Sequence, residues 1–157
     1  MKNSTRGAVD SFIVMDVMEA ARKAEAAGRD IIHMEVGQPA TPAPLRARNA
    51  LRDSLKVTAM GYTVALGLPE LRSKIAELYG EWYDLDLDKN RVIVTSGSST
   101  GFLLSFTSLF DAGERVGVGA PGYPSYRQIL KALDLTAVNI PTKSANKYQP
   151  HPNDFTH

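Results

Sequence analysis

The sequence predicts an α/β fold with a mainly parallel sheet, and two observations carry that expectation. From residue 91 onward, short β-branched segments alternate with helical ones (91–96, 100–110, 116–120, the residues after Pro124, and 136–140). Alternation of this kind builds right-handed crossovers between parallel strands. The composition, 43% hydrophobic and 22% charged over 157 residues, is that of a globular chain with a buried core.

Taken in order, the elements begin with a helix over 11–27. Val14, Met18 and Ala21 share one face, as do Val17, Ala21 and Ala24, and Gly28 is placed to stop it. Ile31 to Val36 reads as a short strand, and the prolines at 39, 42 and 44 then exclude regular structure until a helix over 45–54. A glycine-flanked loop, Gly61 to Gly67, leads into a third helix opened by Pro69. Its stripe of Leu71, Ile75, Leu78 and Trp82 is expected to be core. Arg91 to Ser96 is the first strand of the alternating region, and a helix follows to about Phe110, ended by Asp111-Ala112-Gly113. Val116 to Ala120 and Thr136 to Ile140 are the next strands. The helix between them carries Tyr126, Ile129, Leu130 and Leu133 on one face. The polar stretch after Pro141 is expected to be loop.

Composition also limits function. A net charge of +1 gives no face a large positive excess, so no nucleic-acid partner is expected, and Arg46, Arg48 and Arg52 read as a solvated helix face. The absence of cysteine excludes disulfides and thiolate metal sites. His33, His151 and His157 are too dispersed for a zinc constellation, and His33, in its apolar run, is expected to be an interior histidine. No apolar run is long enough to span a bilayer and no signal peptide opens the chain, so a cytoplasmic protein without a membrane partner is expected.

Three places could carry chemistry. The run Val94-Thr95-Ser96-Gly97-Ser98-Ser99-Thr100 ends a strand in small residues that open a helix. The unpaired first amides and the helix dipole make such a junction a phosphate site, to which Ser98, Ser99 and Thr100 can add hydroxyl donors. The same residues could also serve simply as caps. Neither a P-loop nor a dinucleotide fingerprint is present. Tyr123, in Pro121-Gly122-Tyr123-Pro124, sits where ligands of open α/β sheets bind and could stack on a flat heterocycle, or pack over the sheet edge. Tyr62 stands in the glycine-flanked loop, a position that more often supplies a lid over apolar surface.

The order of these features changes their weight. Gly37-Gln38-Pro39 comes first, then Tyr62-Thr63-x-Ala65-x-Gly67-x-Pro69-x-Leu71-Arg72-x-x-Ile75-Ala76. Val94-Thr95-x-Gly97-Ser98 and Pro121-Gly122-Tyr123-x-x-Tyr126 follow. Together they resemble the class I/II aminotransferases of fold type I, over nearly the whole chain. The resemblance implies an incomplete three-layer α/β/α large domain. Residues 1–45 would form an N-terminal arm and small-domain segment, and 46–157 the first part of the cofactor-binding domain.

It further implies pyridoxal 5'-phosphate as cofactor, amino acid and 2-oxo acid as substrates, and a homodimer in the full-length parent. Gly97, Ser98 and Ser99 would bind the cofactor phosphate and Tyr123 would stack on its ring. Tyr62 would reach the phosphate of the partner subunit, and Gly37 would offer a backbone N–H to the substrate carboxylate. Gln38 stands where the family often has glutamate.

The lysine that this family uses to hold the cofactor covalently lies downstream of the matched region, so no catalytic residue is expected here and the chain alone should be inactive. Lys2, Lys23, Lys56, Lys74, Lys89, Lys131, Lys143 and Lys147 all fall on polar faces, termini or loops, which do not depress a lysine pKa. The resemblance also places the sheet neighbours of 92–96 later in the family chain. That segment is therefore expected to lack partners, while the next two strands pair with each other. Three other readings share these residues: a C–S lyase or synthase of the same fold, a non-catalytic ligand-sensing module, and a small α/β protein binding a phosphorylated metabolite at 97–100.

Overall fold

The structure, a computed structural model, describes residues 4–155; Lys2 and His157 lie outside the described residues. Two compact units are formed, one from Met1–Val36 with Ser96–His157 and the other from Gly37–Thr95.

The first unit contains α1 (Ile13–Ala26), α4 (Ser98–Leu109), β1 (Arg115–Ala120), α5 (Ser125–Ala132) and β2 (Thr136–Pro141). α1 stops where glycine makes stopping cheap. Gly28 takes φ +83°, its N–H donates to Glu25 O at 2.8 Å, and the Arg29 N–H donates to Ala24 O at 3.1 Å. This double return of N–H groups satisfies two of the helix's last carbonyls. Val14, Met18, Ala21 and Ala24 are half-buried, as their spacing requires.

β1 and β2 run parallel with Arg115 opposite Thr136 and Ala120 opposite Pro141, and α5 makes the crossover. The core sits between this pair and the helices. Val116 and Val118 alternate inward from β1 to meet Leu130 and Leu135, with Phe106, Phe110, Tyr126, Leu133 and Ala137 packed around them. Leu130, at the centre of the α5 stripe, is wholly buried. On the opposite face, a Cβ at Gly117 would come within 2.8 Å of Ile140 Cδ1, so the glycine admits that isoleucine.

The second unit contains α2 (Leu45–Ser54) and α3 (Pro69–Tyr83), whose bounds follow the proline and periodicity signals. The Arg46–Arg52 face is exposed, as the spacing implies.

Four expectations are corrected. Residues 31–36 form no strand, and 92–96 form no strand either: a 3-10 turn covers Lys89–Arg91 and the chain then runs extended from Val92. Both segments have the side chains of strands, but a strand needs a ladder partner for its backbone groups as well. The α3 stripe is not core, since Leu71 is 45% and Trp82 64% exposed. Periodicity tells which face of a helix seeks cover, not whether cover is present. His33 is not interior either; its side chain is about half exposed, between two carboxylates. Among the described residues, no helix is long and apolar enough to cross a membrane.

Candidate cofactor site

The turn that opens α4 is built on Gly97, which takes φ +88° and ψ 165° at the N-cap, a conformation closed to side-chain-bearing residues. No side chain caps the helix start. The first-turn amides, which have no partner within a helix, thus carry no side-chain cap, and the positive end of the helix dipole lies at this end. Ser98 and Ser99 are exposed on this first turn. Thr100 is used otherwise: its Oγ1 donates to Ser96 O at 3.3 Å and lies 3.2 Å from Ser96 Oγ, folding the hydroxyl back onto the turn. Of the three hydroxyls that the sequence offered, Ser98 and Ser99 are thus the pair set outward.

Tyr123 stands just beyond the C-terminal end of β1 and is 45% exposed. Gly122 beside it is dictated by packing, because a Cβ there would lie 2.3 Å from Gly119 O. The Tyr123 ring meets Tyr126 at 5.3 Å and 77°, and Tyr126 meets Phe102 of α4 at 4.7 Å and 87°. Both are edge-to-face arrangements of the kind that aromatic quadrupoles favour. The aromatic chain ties the Pro121–Pro124 turn to α4 one turn beyond Ser98. It also borders a cavity of about 260 Å³ lined by Phe102, Phe106, Tyr126 and the β1 backbone.

In the second unit, Tyr62 is fully exposed, so it does not act as a lid over apolar surface within this chain. Gly37 is also exposed, with no atom within 4 Å of where a Cβ would stand.

Several lysines are engaged by carboxylates. Lys23 lies 3.6 Å from Glu19, Lys56 3.2 Å from Asp53, Lys131 3.0 Å from Asp10, and Lys74 pairs with Glu77. The hydrogen bond that Lys74 donates to Glu77 raises the pKa of Lys74 above its ordinary value, the reverse of what a nucleophilic amine requires.

Comparison with known proteins places this geometry. The family model for aminotransferase class I and II matches residues 29–157. The chain belongs to that family. It is 43% identical over 145 residues to valine–pyruvate aminotransferase of Mycobacterium tuberculosis, covering 92% of this chain and 37% of that protein. A solved aminotransferase structure from the same organism superposes with a TM-score of 0.92 at 39% identity, over 100% of this chain and 41% of that one. A solved structure from Silicibacter pomeroyi, 63% identical, gives a TM-score of 0.85 over 99% of this chain and 40% of its own. The chain thus spans roughly two fifths of the length of these family members, and its α/β architecture is a portion of the fold type I aminotransferase fold. Membership implies use of pyridoxal phosphate. The donor set at the start of α4 suits such a group: first-turn amides without a side-chain cap, two exposed serines and a dipole that favours a phosphate dianion.

Two features of the sites escaped the sequence reading. Arg72 is 7% exposed although charged. The only signal was an arginine set beside the apolar stripe of α3. The other is a cluster of His33, Glu25 and Glu35, whose carboxylates lie two and eight residues from the histidine, spacings that belong to no helical face or motif.

Proposed function

We propose that this chain is the amino-terminal part of a pyridoxal-phosphate-dependent aminotransferase that moves an amino group between an amino acid and a 2-oxo acid. The observation that carries the reading is the glycine-opened start of α4, with Ser98 and Ser99 turned outward and no side chain capping the amides. In this reading Gly97 supplies the left-handed turn, and Ser98 and Ser99 donate amide and hydroxyl protons to the cofactor phosphate. Tyr123, braced by Tyr126 and Phe102, presents its ring to the cofactor ring. Gly37 offers its N–H to the substrate carboxylate, where the bare backbone leaves room for close approach. Tyr62 serves the phosphate site of the partner subunit in a homodimer, a role supported by its full exposure. The cofactor, when bound, supplies an electron sink for bonds breaking at the substrate α-carbon. A functional boundary near residue 45, between arm and cofactor-binding domain, belongs to the same reading.

Lys23, Lys56 and Lys131 are ion-paired with Glu19, Asp53 and Asp10, and Lys74 has its pKa raised by Glu77; in this reading the chain by itself binds the cofactor without bonding to it and is inactive. The test is titration of the chain with pyridoxal phosphate and with pyridoxal, followed by borohydride reduction and intact mass. Preference for the phosphorylated form without a stoichiometric adduct is the expected outcome. Equal affinity for both forms would sink the phosphate site, and a stoichiometric adduct on one lysine would sink the claim of inactivity. Removing either hydroxyl, as in Ser98→Ala, is expected to weaken binding about tenfold, the scale of one hydrogen bond to a charged group.

A further inference from the structure

Within the first unit, Val9 and Asp10 come against α5 and border a second cavity, about 320 Å³ in volume. One side of it is aliphatic. Val9, Leu135 and Ala137 form that wall, and Leu135 belongs to the buried core. The other side is polar, with Arg127, Gln128 and Lys131 from α5 and Asn139 from β2.

The charges on the polar side do not balance. Lys131 Nζ lies 3.0 Å from Asp10 Oδ2, so those two offset each other. Arg127 has no carboxylate partner among the described residues. Its Nε and Nη2 donate to one neutral oxygen, Asn139 Oδ1, at 3.2 and 2.6 Å. A guanidinium carries five N–H donors in a fork that fits a carboxylate through two parallel bonds, so sharing a single amide oxygen leaves most of that capacity unused.

Gln128 has the opposite need. Its Oε1 is cut off from water and accepts no hydrogen bond among the described residues. An acceptor that has lost water without gaining a donor raises the free energy of the folded chain. The terminal amide torsion of glutamine is broad, so this oxygen can turn to a donor placed in the cavity.

We propose that this cavity is a binding site for a short-chain 2-hydroxy carboxylate. The carboxylate pairs with Arg127, the hydroxyl donates to Gln128 Oε1, and the aliphatic remainder lies against Val9, Leu135 and Ala137. Charge selects the class. One carboxylate neutralises Arg127, whereas an ammonium on the ligand would add a third cation beside Arg127 and Lys131. A phosphate dianion would bring surplus negative charge toward Asp10. The volume is at the small end for a ligand pocket, which suits a molecule of this size. The site is independent of the reading of Gly97, Ser98 and Ser99 as a phosphate site.

The experiment titrates the 157-residue chain with four ligands of one carbon skeleton: 2-hydroxybutanoate, butanoate, 2-aminobutanoate and 2-hydroxybutanamide. The readouts are the amide resonances of Val9, Asp10, Arg127 to Lys131 and Leu135 to Asn139, in the unsubstituted chain and in Arg127→Gln and Gln128→Leu. The hydroxy acid is expected to move these resonances saturably. Butanoate, lacking the donor, should bind about fivefold more weakly, the scale of one neutral hydrogen bond. The amide, lacking the charge, and the amino acid, carrying an extra cation, should each bind about tenfold more weakly. Arg127→Gln should weaken both carboxylates about tenfold, and Gln128→Leu should erase the preference for the hydroxyl. Absence of a saturable shift with 2-hydroxybutanoate would overturn the proposal, as would equal affinity for its amide. Equal or tighter binding of 2-aminobutanoate would overturn it in favour of a zwitterion. A hydroxyl preference that survives Gln128→Leu, or carboxylate binding unchanged in Arg127→Gln, would overturn it as well. If either variant loses its helical circular dichroism, the four ligands on the unsubstituted chain decide the matter by the same comparisons.

Discussion

Glycines and one histidine show how far single atoms decide this molecule. Adding a methyl group at Gly122 would drive it to 2.3 Å from Gly119 O, a clash with backbone that no rotamer can relieve. Gly122→Ala is therefore expected to destabilise the chain by about 1–3 kcal/mol and to loosen Tyr123 from Tyr126. Denaturant midpoints and near-ultraviolet circular dichroism would check the two effects; an unchanged tyrosine signal would count against the brace. His33 is a pH-dependent tie. Its Nδ1 lies 2.6 Å from Glu35 and its Nε2 2.8 Å from Glu25, and the two hydrogen bonds, Glu35 first, raise its pKa from 6.5 to about 9. A pKa raised on folding means that the tie contributes fully below about pH 6.5 and is lost as pH rises through about 9. Titration of the His33 ring resonances should show that displaced midpoint, and salt should reduce the displacement because the cluster is exposed. A midpoint near 6.5 would show that the cluster does not form.

At the scale of elements, the same amino acids succeed or fail as strands according to their neighbours. β1 and β2 form because α5 brings them side by side and their register satisfies both backbones. Ile31–Val36 and Val92–Ser96 are as β-branched or apolar, yet neither forms a strand. The helices were legible almost to the residue, since Pro44, Pro69 and Gly28 mark boundaries through local dihedral limits that need no partner. Strands were legible only where the partner is also local. For the site the division is similar. The Gly97 turn and the Tyr123 turn could be read from small residues and prolines, whereas the grip of Arg72 on Val92 spans twenty positions and left no local trace. Hydrogen exchange should reproduce the contrast. Amides of β1 and β2 are expected to be protected and that of Ser96 to exchange near the rate of open chain; equal protection would mean that a ladder partner has been found. Gly97→Ala should shift the start of α4, at a cost of about 1–3 kcal/mol for a left-handed non-glycine residue.

For the molecule as a whole, the inward side chains are few and the outward apolar ones are many. Ile32, Met34 and Val57 are each at least 85% exposed, and Leu109 is 72% exposed. Surfaces of that kind seek cover. The isolated chain is expected to bind hydrophobic dyes and to associate as its concentration rises, measurable by dye fluorescence and sedimentation. A dye-silent monomer at all concentrations would show that these side chains pack elsewhere in solution. The pairing of Arg115 with Thr136 has a kinetic consequence. Each contact of the β1–α5–β2 unit closes a loop of only about twenty residues, and loops of that length close early and at small entropic cost. During synthesis, then, this unit can assemble as soon as Pro141 emerges.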